Sequence, residues 1–289
     1  MYNQISSNKR RTVFLLLGFV IILWGLAYVI SKATGEPGLL FIIGLFSLSY
    51  ALFSYFVGSR MALAINGAKE ISKKDNPRLW RIVENLAITE GMPMPKVYVM
   101  DDPAPNAFAT GRKPDKSVVA ATTGLLKIMN DSELEGVMAH ELGHIKNYDM
   151  RVNTIAFALV GIIAMIGDFF LRISLFGRDR NSNGNQLFMV IAIVAVIVAP
   201  IAATLIQLAI SRRREFLADA TGALTTRYPE GLANALRKIG KYGSATKKQN
   251  TATAHMFFAN PLSGKVIAGL FSTHPPVEQR VKILLEMKL

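Results

Sequence analysis

Four nearly uncharged stretches decide most of what this chain of 289 residues can fold into. Thr12 to Ile30 and Leu39 to Val57 are each 19 residues without a charge. Asn153 to Leu171 is equally apolar apart from Asp168. Leu187 to Ile210 runs 24 residues with no formal charge, interrupted by Pro200 and Gln207. A helix needs about 17 residues to cross the hydrocarbon of a bilayer. The fold expected is therefore a mostly α integral membrane protein with four candidate transmembrane helices. The first run exceeds the roughly 7–15-residue apolar core of a cleaved signal peptide, and no small-x-small site follows it. The third is also readable as a buried core helix.

Charge orients these spans. Lys9, Arg10 and Arg11 precede the first run, and Arg212, Arg213 and Arg214 follow the fourth. Basic clusters at span ends stay on the cytoplasmic side. They also account for part of the net charge of +13, which argues for a lipid bilayer as partner and against nucleic acid. An even number of crossings puts both termini and the polar segment 58–152 in the cytoplasm. One loop disagrees: Arg172, Arg178 and Arg180 make the outer link between spans three and four more basic than the rule prefers. The chain divides into an N-terminal hairpin (1–57), a polar domain (58–152), a second hairpin (153–210) and a C-terminal helical part (211–289). With no Cys, disulfides, thiolate metal sites and a Cys nucleophile are all excluded.

The polar segment has the pattern of a small α+β domain. Asn76-Pro77 starts a helix through Thr89, with Pro in the first turn. Strands are expected at Lys96–Met100, Asn106–Thr110 and Ser117–Ala121. A helix begins at Thr122, and another, capped by Asn130 or Asp131, runs through SELEGVMAHELGHIKNYD. Further helices are expected at Pro229–Tyr242 and Pro276–Met287.

Within that stretch His140, Glu141 and His144 form H-E-x-x-H. Residues i and i+4 share one helix face, so two imidazoles there hold one Zn²⁺, and Glu141 beside the first is placed as a general base. Two of the four His in the chain stand at these positions. A zinc protease needs a third protein ligand and one open position. No His follows at the short spacing of HExxHxxGxxH, where Asp149 and Met150 stand instead. Glu215 in SRRREFLADA is the candidate, with Asp219 one turn on as acceptor for a histidine N–H. Pairing of Glu215 with a neighbouring Arg is the plainer alternative. His144 precedes span three and Glu215 follows span four, so two crossings, or none, return them to one side.

PNAFATG (Pro105–Gly111), HELGH, SRRREFLADA (Ser211–Ala220) and FSTHPP (Phe271–Pro276) together resemble the HtpX heat-shock membrane metalloproteases, relatives of the CAAX-prenyl endopeptidases. The resemblance covers essentially the whole chain. It implies a zincin-like endopeptidase of the bacterial inner membrane with a cytoplasmic active site and one Zn²⁺ per chain. Its implied task is quality control, with unfolded or misassembled membrane proteins as substrates. Glu215 matches the third zinc ligand of the family and Asp219 its partner acid. Asn106, Ala107, Phe108 and Ala109 match the strand beside the active-site helix, where an exposed edge would hold substrate backbone. A developing oxyanion needs a second electrophile: His274, beside Pro275 and Pro276, is the first candidate and Arg280 the next. Two other functions fit the same residues: a processing peptidase for one membrane or lipidated substrate, and a metal-dependent scaffold without activity. The intact Glu141 argues against the scaffold.

Overall fold

The computed structural model describes residues 2–159, 212–242, 246–247, 256–259 and 275–287. Two long helices lead, α1 (Tyr2–Thr34) and α2 (Gly38–Ile65), packed on each other across a short link. Gly35 in that link has φ of 73°, a conformation that side chains disfavour. Phe14 and Ile21 on α1, and Phe41, Ile42, Leu45 and Phe56 on α2, are exposed. Exposed apolar side chains in such number mark a surface for an apolar partner or phase. Among the described residues one helix, Leu40–Ile65 within α2, is long and apolar enough to cross a membrane. Of the expected third span only 153–159 is described, and the fourth lies outside the described residues.

After α2 the chain builds a sheet and a helical layer. Strands β1 (Ala68–Glu70), β2 (Lys96–Met100), β3 (Ala107–Gly111) and β4 (Ser117–Thr122) pair in the order β1-β2-β4-β3. β2 and β4 are parallel; the other two pairings are antiparallel. The short strand β1 was not expected: three half-polar residues carry no periodic signal. Helix α3 (Pro77–Thr89) starts where Asn76 accepts the amide of Leu79. Helix α4 (Thr123–Ile128) leads into α5 (Asp131–Lys146), which begins with a capping box between Asn130 and Glu133. A turn at 147–148 feeds helix α6, which is described over 149–159. Three more helices follow: α7 (Arg212–Thr226), α8 (Pro229–Tyr242) and α9 (Val277–Glu286).

Alternation along the strands covers both faces of the sheet. Val97, Ala107, Ala109, Val119 and Ala121 join the core built by α3, α5, α8 and α9. Met100, Phe108, Val118 and Ala120 join a second core that runs through Val152 and Ile155 of α6 to Leu15 and Phe19 of α1. The sheet is thus a partition between the helical layer and the α1, α2 and α6 helices. α6 packs tightly on α2: Tyr50 donates to the carbonyl of Ala158, and a Cβ at Gly58 would lie 3.1 Å from the methyl of Thr154.

Candidate metal centre

Two helices make the site. α5 carries His140, Glu141 and His144 near its C-terminal end, and α7 carries Glu215 in its first turn. Small residues let the helices close. A Cβ at Gly222 would lie 3.0 Å from the backbone N of His140, and Gly143 faces Ala218 and Thr221. At one end Glu90 accepts hydrogen bonds from Lys146 of α5 and Thr225 of α7, which sets their relative slide.

The ligating atoms of His140, His144 and Glu215 all lie within 4.8 Å of one another. The two Nε2 atoms are 3.1 Å apart, and Glu215 oxygens stand 3.8 Å from the first and 3.4 Å from the second. Tetrahedral Zn²⁺ with bonds of about 2.0–2.1 Å requires donors about 3.3 Å apart. Each imidazole presents its other nitrogen to a carboxylate: His140 Nδ1 is 2.9 Å from Asp219, and His144 Nδ1 is 3.2 Å from Asp149. With protons at both Nδ1 positions, two lone pairs and a carboxylate converge on one point. Such a buried set repels itself unless a cation joins it, so the residues fit a divalent metal.

The electrostatics agree. Burial, the nearby His144 and Arg280 lower the pKa of His140 to about 4, against the pull of Asp219. Burial opposes charge on His144 too, yet Asp149, Glu215 and Glu141 raise its pKa to about 9. The site favours one positive charge at its centre. Burial, aided by Glu215, pushes Glu141 up to about 7, against His144, Arg280 and a backbone hydrogen bond from Ala109. A carboxyl with a raised pKa can both accept and release a proton nearer neutrality than a free one. Ala109, His140, Glu141, His144, Glu215 and Phe258 are among the residues lining a cavity of about 10 Å³, room for about one ion or water.

Five residues named from the sequence therefore meet in space: His140, Glu141, His144, Glu215 and Asp219. Others lie differently. Arg280 is fully buried and grips Asp219 with two bonds of 2.8 and 2.7 Å. Its nearest approach to an imidazole is 3.5 Å, at the Nδ1 edge of His140 and not at the Nε2 edge that faces the metal position. It holds the carboxylate that holds the ligand, a different place from the oxyanion site expected for it. His274 lies outside the described residues.

β3 is the outer strand of the sheet, but its edge is not open along its length. The amide of Phe258 donates to the Ala107 carbonyl at 2.8 Å, and Phe108 pairs antiparallel with Phe257. Asn106 is wholly buried and clamps the same segment, donating to the Ala259 carbonyl at 2.8 Å and accepting its amide at 3.1 Å. The Phe258 ring then stacks edge-on against His140 and under the Arg280 guanidinium. Asp149 and Phe258 are residues around the site that the sequence did not point to; Asp149 had a signal, since it stands where a third ligand was sought, and Phe258 had none.

Comparison with known proteins agrees with this geometry. Residues 73–288 match the family described as Peptidase family M48. A protein named Protease HtpX homolog from Tropheryma whipplei (strain Twist) is 50% identical, covering 99% of this chain and 98% of its own. One of the same name from Dictyoglomus turgidum is 44% identical, covering 99% and 94%. The crystal structure of S. mikatae Ste24p has the same fold, with a TM-score of 0.53 at 18% identity over 98% of this chain and 67% of that one. The chain belongs to peptidase family M48 and is a membrane metalloprotease of the HtpX kind.

Proposed function

We propose that the chain is a zinc endopeptidase that hydrolyses internal peptide bonds of damaged or misassembled membrane proteins at the cytoplasmic face of the bacterial inner membrane. One observation carries the reading: His140, His144 and Glu215 converge on a single point with Glu141 beside it. One Zn²⁺ per chain, held by those three, would polarise the scissile carbonyl and acidify the attacking water. Glu141 takes the proton from that water and delivers it to the leaving amine. Asp219 and Asp149 keep the ligands in one tautomer.

Substrate joins as an extended chain along β3. The pairing of Phe257 and Phe258 with that strand supports this, because it displays an edge that accepts extended backbone. Ala109, the next residue of that strand, lies beside Glu141. Purified protein in detergent, loaded with zinc, tests the reading against unfolded membrane proteins. Cleavage at many unrelated sites that disappears in Glu141→Gln supports it. Cleavage at one shared sequence favours a processing peptidase, and no cleavage by wild type removes the proposal.

A further inference from the structure

Asp149, which supports His144, belongs to a buried polar cluster between α1 and the end of α5. Asn8 is wholly buried in the second polar turn of α1, four residues before the uncharged run begins at Thr12. Its Nδ2 donates to the Asn147 carbonyl at 2.8 Å and to Asp149 Oδ1 at 2.6 Å. Asp149, also wholly buried, sets its other oxygen 3.2 Å from His144 Nδ1. Arg214 Nε approaches Asp149 Oδ1 at 3.6 Å. Between the two acceptors stands Tyr148 with φ of 62°, a left-handed conformation that non-glycine residues disfavour. Lys9 Nζ sits 4.9 Å over the Tyr148 ring, and Thr12 Oγ1 bonds the Asn8 carbonyl.

We propose that Asn8 is a positioning residue of the metal site, fixing Asp149 and through it the imidazole of His144. The inference rests on His144 being a metal ligand. The strained turn at Tyr148 is what swings Asp149 back under His144, and α1 supplies the groups that hold that turn. The amide of Asn8 suits this task because it has two N–H bonds for two acceptors and no charge of its own. An Asp at position 8 would face Asp149 with like charge. A Leu would leave the Asn147 carbonyl and Asp149 Oδ1 short of a buried donor. The helix that enters the membrane first is thus bonded, through two side chains, to a ligand of the metal.

A purely structural role, in which Asn8 only docks α1, would change stability without changing the metal. Zinc dissociation constants of full-length protein in detergent, measured by chelator competition, separate the two. The variants are Asn8→Ala, Asn8→Ser, Asp149→Asn and the double Asn8→Ala/Asp149→Asn, with the exposed Arg10→Ala as control on the same helix. Loss of an outer partner of a metal-bound histidine typically weakens binding about 10–100-fold. Asp149→Asn should fall in that range, Asn8→Ala at its lower end, and Asn8→Ser between Asn8→Ala and wild type. The double variant should bind zinc as Asp149→Asn does, because Asn8 acts through Asp149. In cobalt-loaded protein the visible absorption bands should shift in Asn8→Ala and not in Arg10→Ala. If folded Asn8→Ala or Asn8→Ser binds zinc as wild type does, or if the two effects multiply, the inference fails. If wild type itself does not retain zinc, the metal reading fails first.

Discussion

The two histidines of the metal centre stand one helical turn apart, yet their supports come from opposite ends of the chain. His140 leans on Asp219, which Arg280 clamps from α9 with two short bonds. His144 leans on Asp149, which is held by Asn8 of α1 and more loosely by Arg214. The first arm is a charged, bidentate, C-terminal device. The second is a neutral amide of α1 that holds a strained turn. Folding α5 alone therefore cannot make the site. Each ligand is finished by a different, distant element, so metal binding reports on the assembly of the whole chain.

The largest effect should come from breaking the charged arm. Asp219→Ala would leave the Arg280 guanidinium buried without its carboxylate, a loss of about 3–5 kcal/mol. Denaturant unfolding should show it, and Asp149→Ala should cost less, because Arg214 makes one longer contact where Arg280 makes two short ones. Metal should act next. Zinc at 100 times its dissociation constant stabilises the folded state by about 2.7 kcal/mol, so thermal unfolding of chelated protein should rise on zinc addition. At the same zinc concentration the rise should shrink in Asp149→Asn. Forcing α5 and α7 apart should matter somewhat less. Gly222→Val puts side-chain atoms where a Cβ already lies 3.0 Å from the His140 backbone, an overpacking cost of about 1–3 kcal/mol. Chemical denaturation measures it, and zinc affinity should fall with it. The smallest change concerns the turn. Tyr148→Gly removes left-handed strain but also the ring under Lys9, so stability should move by about 1 kcal/mol or less.

That comparison also explains what could be read in advance. The charged arm is legible because Glu215 and Asp219 sit at helical spacing in one run, like His140 and His144 in theirs. Helix starts were legible where a side chain caps its own helix, as at Asn76 and Asn130. The neutral arm is not legible. Asn8 and Asp149 are separated by 141 positions, and nothing in either segment announces the other. β3 was placed within one residue, but the cover over its edge comes from 256–259, whose sequence carries no strand alternation. Arg280 was found for its charge, but its bonds to Asp219 were not foreseen. A guanidinium in a short helix reads the same whether it faces an oxyanion or a buried aspartate.

The central claim is that Glu215 completes the metal site while Glu141 moves protons beside it. Zinc content after dialysis against a chelator, measured together with peptidase activity for Glu215→Gln and Glu141→Gln, tests it most directly. Glu141→Gln should keep near-stoichiometric zinc and lose at least about 10²-fold in activity, with no recovery on added zinc. Glu215→Gln should lose zinc and activity together and regain part of both at high zinc. If Glu215→Gln retains zinc as tightly as wild type, or if Glu141→Gln loses it, the two carboxylates have been given the wrong roles.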